Sequence, residues 1–400
     1  MPNRKKDIII IGAGLVGLST AYHIMLTSPE TRVLILEKES SVAQHQSGHN
    51  SGVIHSGIYY KPGSLKAENC ISGYHSLIEF ADKYKIPYEI CGKIIVALSE
   101  GELKGLNNIY DRGIKNGLTN LKKMGAHEFK ELEPHCSGIA AIHVPQTGII
   151  DYPRMAQVLC DILVHEMGAE IYFNEGVNKI SSNATETIVE TDQNRYLTNK
   201  VVSCAGLFSD RMANLTESEN DLRIIPFRGE YYKLRPEKEK LVKNLIYPVP
   251  DPNFPFLGVH FTRMINGGIE AGPNAVLAFK REGYKFSDFS AKDMYDTLGW
   301  PGFWKIVMKY GKTGLGEIYR SLSKKAFVKA LQRLIPELTE EDLIAGGAGV
   351  RAQACDKNGN LIDDFNFLTR NNVIHVRNAP SPAATSSLAI GKLISEKVLK

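Results

Sequence analysis

The sequence predicts an α/β protein: a Rossmann-type, doubly wound nucleotide-binding domain, discontinuous in the chain, with an inserted α+β domain built on a mainly antiparallel sheet. Three observations predict it. The β-branched run Asp7 to Ile11 passes directly into Gly12-Ala13-Gly14 and then into apolar residues at helical spacing. Strand-like and helical segments alternate as far as Ala205-Gly206. From Ile224 to Phe279 the chain is instead rich in Tyr, Phe and β-branched residues broken by Pro and Gly, the composition of antiparallel strands.

Taken in order, Asp7 to Ile11 is continuously apolar after its first residue, the pattern of a strand covered on both faces. Leu15, Leu18, Ala21, Tyr22 and Met25 predict a helix that Ser28-Pro29 ends, and Arg32 to Leu36 supplies the next strand, completing a βαβ unit. Residues 64–85 read as a helix and Ile94 to Leu98 as a strand of a different layer. The charged and apolar residues of 100–135 form short helical stretches, expected to cover the substrate side. Asp151 caps a helix with Pro153 in its first turn, running to Gly168. Strands follow at 169–173, 177–181, 187–190 and 200–204. Residues 287–345 read as helical and basic, Gly346 to Gly349 as a glycine-rich loop, Val373 to Val376 as a strand, and the chain from about Thr385 as a final helix. The nucleotide-binding domain is thus expected in 1–90, 149–223 and 346–400, and the second domain in 91–148 and 224–345.

Gly12-x-Gly14-x-x-Gly17 stands between strand and helix, where the first glycine permits a tight turn, the second lets backbone approach a pyrophosphate and the third lets helix pack on strand. Glu37 ends the second strand, placed to accept from a ribose hydroxyl and to repel a 2′-phosphate. FAD and NAD share this fingerprint. FAD is favoured by the small polar loop Gln46 to Gly52, suited to wrapping a long cofactor, and by the run Asn378 to Ser387. That run opens a helix whose N-terminus would stabilise negative charge on a reduced flavin. The expected FAD contacts are Gly12, Gly14, Gly17, Glu37, Lys38, Asn50, Ser51, Gly52, Val177, Ala205, Gly206, Pro382, Ala383, Ala384, Thr385 and Ser386.

Composition narrows the remaining classes. With 43% hydrophobic residues the chain can bury a large core, and a formal charge of +4 gives no field that would recruit nucleic acid. The six cysteines are scattered without metal-ligand spacing, so no metal is expected and reduced thiols in a cytoplasmic protein are the plain reading. The basic start followed by Ile8 to Ile11 is too short for a signal sequence, and no run reaches the ~18 apolar residues of a membrane span.

Several blocks, in order along the chain, carry a resemblance: His49 to Tyr60 with Pro62 to Ala67, Phe227 to Tyr232, His260 to Arg263, Gly272 to Ala275, Arg281 to Tyr284, Ala348 to Gln353, Asp363 to Phe365 and Asn378 to Ser387. The chain resembles the D-amino-acid-oxidase-like flavoproteins and, more narrowly, the L-2-hydroxyglutarate dehydrogenase/oxidase family. The resemblance implies non-covalent FAD, oxidation of L-2-hydroxyglutarate to 2-oxoglutarate, and electrons passed to a quinone or to oxygen.

Oxidising a 2-hydroxy acid needs a base near the carbinol, and His260 and His55 are the candidates. A dicarboxylate needs cationic clamps: Arg351, which the resemblance also places at a substrate carboxylate, with Arg263 or Arg228 for the second carboxylate. Tyr60 and Tyr231 are candidate phenolic donors. Residues 298–333, with Trp300 and Trp304 among basic residues, read either as a lid with a solvated face or as a peripheral contact with the cytoplasmic face of the inner membrane. The competing readings are another amino-acid or hydroxy-acid oxidase of the same fold and a non-catalytic FAD-binding, membrane-docking subunit.

Overall fold

The computed structural model describes residues 5–183, 185–216, 221–251 and 257–400. In the first of two large sheets, Lys6–Ile11 lies parallel between Val33–Leu36 and Arg195–Ser203. Glu170–Tyr172 and Val373–Asn378 extend the parallel set. Val177–Ser182, Thr187–Thr191 and Asn366–Arg370 add antiparallel strands. The apolar run at the N-terminus is explained by its two covered faces: Ile8 and Ile10 pack toward helix Leu15–Thr27, while Ile9 and Ile11 face the opposite core with Leu34 and Val201. The C-terminal helix Ser387–Leu399 closes on the first helix at Gly391, where a Cβ would fall 2.5 Å from the Ser19 backbone.

Among the described residues the second sheet has nine strands and is antiparallel except where Leu245–Pro248 runs parallel to Lys93–Ala97. Its backbone is the long pair Leu222–Leu234 and Leu343–Asp356. The three-stranded sheet of Val53–Ile54, Gly148–Ile150 and Tyr88–Glu89 completes the strand set.

Two segments differ from expectation. Gly346 to Gly349 is not a loop but the interior of strand Leu343–Asp356. These glycines serve close approach: a Cβ on Gly346 would meet the Tyr231 carbonyl oxygen at 2.6 Å, and one on Gly349 the His49 carbonyl oxygen at 2.4 Å. Residues 100–135 do not cover the cavity described below. Helix Glu100–Lys115 packs Leu106 and Ile109 against Ile95 and Ala97 of the second sheet, and Asn116 then braces the carbonyls of Gly57 and Tyr60. The 16-residue helix is amphipathic and needed an apolar partner, which Ile58 and that sheet supply.

Candidate active site

A cavity of about 600 Å³ is lined by residues of both large sheets. One end is built on the glycine turn. Gly12 has φ +104° and a Cβ there would lie 2.6 Å from the Cys204 carbonyl oxygen; one on Gly17 would lie 2.0 Å from the Gly12 oxygen. Gly14 caps the helix and leaves the backbone open to the cavity. Glu37 accepts from the Ala13 N–H at 2.7 Å and the Glu39 N–H at 2.9 Å, so its carboxylate both fixes the turn and lines the cavity. Lys38, Val177, Ala205 and Gly206 line this part too. The Lys38 ammonium reaches Glu282 at 2.6 Å, His45 at 3.1 Å and Glu39. It thereby stands among the three side chains that, of the described residues, are grouped closely enough to hold a metal ion.

The polar loop runs from this end toward the other. Ser47 Oγ accepts from the Leu15 N–H at 3.0 Å, and Gln46 Oε1 accepts from the Ala352 N–H at 3.0 Å, so the loop ties the first helix to the strand that carries Arg351. Asn50 and Ser51 line the cavity, and Asn50 Nδ2 holds the loop's own carbonyls of Gln46 and Ser47. Gly52 does not line it. With φ +65° it turns the chain into the small sheet, where its carbonyl accepts from Ile150.

At the other end stand His55, His260, Tyr231 and Arg351, with Pro382, Ala383 and Ala384. His260 is buried, packs against Tyr247 with the rings tilted by 33° and their centroids 3.9 Å apart, and its Nδ1 lies 2.9 Å from the Gly258 carbonyl oxygen. That oxygen can only accept, so Nδ1 carries the proton and Nε2 is the basic nitrogen. His55 Nε2 lies 3.4 Å from Ser381 Oγ. Burial, then the charges of Lys93, His260 and Lys66, holds His55 down at about 3. For His260 burial again comes first, opposed by the Gly258 carbonyl and reinforced by Arg351 and Lys93, with the same result of about 3. Both rings are neutral at ordinary pH and able to take a proton. Tyr231, pushed up to about 12 chiefly by burial, remains a phenol.

Five further expected contacts lie elsewhere. Thr385 and Ser386 are fully buried in the turn before the C-terminal helix, which starts at Ser387. Thr385 Oγ1 accepts from the His55 N–H at 3.1 Å and bonds the Tyr152 hydroxyl at 2.8 Å, so it pins the turn behind the site. Arg263 points away from the cavity and pairs with Glu89. Residues alternate faces along strand His260–Arg263, so three positions after His260 a side chain stands on the opposite face. Tyr60 lies behind the wall, with Lys66 Nζ 5.0 Å above its ring. Arg228 is likewise interior, pairing with Glu230 at 2.9 Å and the Lys285 carbonyl at 3.1 Å.

A family of FAD dependent oxidoreductases matches residues 7–397. L-2-hydroxyglutarate dehydrogenase of Indibacter alkaliphilus is 55% identical over 98% of this chain and 99% of its own length. The mitochondrial L-2-hydroxyglutarate dehydrogenase of Homo sapiens is 45% identical over 98% of this chain and 88% of its own, and that of Escherichia coli strain K12 is 44% identical over 98% and 93%. The chain belongs to the FAD-dependent oxidoreductases, in the family of the L-2-hydroxyglutarate dehydrogenases. Among solved structures, the dithionite-reduced, FAD-bound L-α-glycerophosphate oxidase of Mycoplasma pneumoniae superposes with a TM-score of 0.81 over 99% of this chain and 95% of that one, at 22% identity. Glycine oxidase of Geobacillus kaustophilus gives 0.71 over 99% and 95%, at 16% identity. These two share the fold.

The cavity of this flavoprotein fits the cofactor on its own geometry. A Cβ on Gly12 or Gly17 would meet backbone of the cradle, and the cavity is lined from Glu37 to His55 and His260. Two groups were not singled out in the sequence: Tyr247, on the wall, and Lys93, which does not line the cavity but stands behind that wall, its Nζ 4.5 Å from the Tyr59 ring centroid and 4.8 Å from that of Tyr247. The signal for Lys93 was a charge opening the apolar run Ile94-Ile95-Val96-Ala97. Lys93 is 2% exposed.

Proposed function

We propose that this chain oxidises L-2-hydroxyglutarate to 2-oxoglutarate, with the cavity holding FAD along its length and the substrate at the end where His55, His260 and Arg351 meet. The observation that carries the reading is this junction: two neutral imidazoles, one with its tautomer fixed, beside an arginine within a single cavity. When bound, the flavin supplies the hydride acceptor. Arg351 grips the carboxylate next to the carbinol with its planar fork, which orients the C–H bond. Nε2 of His260 or the His55 imidazole takes the hydroxyl proton, and the Tyr231 phenol donates to a substrate oxygen. Gly12, Gly14, Gly17, Glu37, Lys38, Asn50, Ser51, Val177, Ala205, Gly206, Pro382, Ala383 and Ala384 hold the cofactor. The nucleotide-binding domain comprises 1–90, 149–223 and 346–400, and the substrate domain 91–148 and 224–345, with the strand Leu343–Asp356 bridging the last boundary.

Electrons leave to a quinone or to oxygen, and the protein works in the cytoplasm, docked on the inner face of the membrane. Helix Pro301–Leu322 supports docking: Trp304, Met308, Leu315, Tyr319 and Leu322 are all more than half exposed and recur on one face, with Lys305, Lys309 and Lys312 interspersed. Trp300, by contrast, is buried against Arg223 and Asp356, so only one of the two tryptophans is available. Among the described residues no helix is long and apolar enough to cross a membrane.

Anaerobic mixing with each enantiomer of 2-hydroxyglutarate, an L-amino acid and glycerol phosphate tests the substrate. Bleaching of the flavin by the L-enantiomer alone is expected; reduction by an amino acid or glycerol phosphate in preference overturns the assignment. Salt-sensitive co-sedimentation with anionic vesicles, lost in Trp304→Ser with Met308→Ser, tests docking, and no sedimentation of the parent protein sinks it.

A further inference from the structure

On the reading that the substrate is a dicarboxylate, Arg351 accounts for one carboxylate and leaves the other without a partner, since Arg263 and Arg228 are already paired with Glu89 and Glu230. Among the described residues, the cations whose charge reaches the two histidines are Lys93, Lys66 and Arg351. Lys66 is held by Asp363 at 2.8 Å. Lys93 faces two aromatic rings, and among the described residues its ammonium forms no ion pair. It stands directly behind Tyr247, which lines the cavity and packs against His260. A buried ammonium set against ring faces, with no ion pair among the described residues, is costly, and a carboxylate arriving beside it removes that cost.

We propose that Lys93 is the counterion for the carboxylate of the substrate that Arg351 does not hold, and so the residue that makes the enzyme select a diacid over a monoacid. The strand geometry places it for this. Lys93 opens Lys93–Ala97 on the same face as Ile95, whose parallel partner is Tyr247, so its ammonium lies beside the Tyr247 ring while Ile94 and Val96 fill the opposite core. Burial holds its ammonium down at about 7, opposed by Cys70, the one ionisable neighbour that favours the charge. A bound carboxylate would restore the protonated form.

The test uses the FAD-loaded enzyme and two ligands that cannot be oxidised, glutarate and pentanoate, which share a chain length and differ by one carboxylate. Binding is read from the perturbation of the flavin absorbance. The parent enzyme is expected to prefer glutarate. In Lys93→Met the Kd for glutarate should rise by about tenfold or more while that for pentanoate stays within about twofold. Should the methionine variant fail to retain flavin, Lys93→Gln gives the same comparison. Equal weakening of both ligands, or a preference for glutarate that survives in the variant, overturns the role of Lys93 alone. A parent enzyme that binds glutarate no better than pentanoate overturns the diacid reading itself, and these two results are distinct.

Discussion

The two ends of the cavity are built by opposite means. The nucleotide end is made of backbone drawn from one stretch of chain: Gly12, Gly14, Gly17 and Glu37 all lie within a single βαβ unit, and what matters there is the absence of side chains. The proposed substrate end is made of charged and aromatic side chains from distant segments, with His55, Tyr231, His260 and Arg351 lining the cavity and Lys93 enclosed behind Tyr247. The first end is therefore intolerant of any added atom, whereas the second is set by charge and can be altered one function at a time.

The largest effect should come from breaking the nucleotide end. Gly17→Ala puts a Cβ 2.0 Å from the Gly12 carbonyl oxygen, backbone that cannot move aside. The purified variant is expected to be colourless or insoluble; retention of full flavin would mean the helix can shift and the cradle is looser than drawn. Next come the histidines. Whichever of His260→Asn and His55→Asn removes the base should lower kcat by about 10²–10⁴ with flavin content unchanged, while the other has a distinctly smaller effect. Equal small losses in both would remove imidazole base catalysis from the site.

The pH dependence sharpens the contrast further. The histidines stay neutral down to about 3, so kcat should show no acid limb in the ordinary histidine range. Lys93 loses its proton through about 7, so the KM for a diacid should climb as pH rises above that, with little change for a monoacid. Its folded pKa lies below the ordinary 10.5, which means the folded state binds fewer protons than the unfolded chain between those values. The stability penalty of Lys93 is thus fully present below about 7 and fades as pH rises toward 10.5. Lys93→Met should accordingly raise the Tm of the ligand-free protein at neutral pH, and a lowered Tm would contradict this. The smallest effect is expected for Arg263→Met: its guanidinium pairs with Glu89 away from the cavity, so kcat/KM should change by no more than about twofold.

Much of the nucleotide end was legible from residue order because its determinants are local. A strand, a glycine turn, a helix and an acid follow one another in a fixed pattern, and Gly12 and Gly17 are demanded by backbone contacts with Cys204, just after strand Arg195–Ser203, and within that unit. The turn after Asn378 was legible in its first part only. Proline and alanine there marked a chain near the cavity, but the same small polar residues serve equally to fill a tight helix contact, as Ser386 does against Gly73. The substrate end was legible as a set of residue types and not as a geometry. Arg263 and His260 share a strand, and only the alternation of faces separates the one that reaches the cavity from the one that does not.

By itself, then, the sequence determined the βαβ fingerprint, the two kinds of sheet and the pool of histidines and arginines from which a hydroxy-acid site is drawn. Local propensity, apolar periodicity and backbone sterics act over a few residues and leave their mark in residue order. The tertiary structure alone decided which cations line the cavity, that Gly346 to Gly349 is a closely packed strand, and that Lys93 is enclosed behind Tyr247. Those outcomes depend on which strand pairs with which and on where each side chain points once the sheets have packed, and burial and electrostatic coupling exist only after distant segments have been brought together.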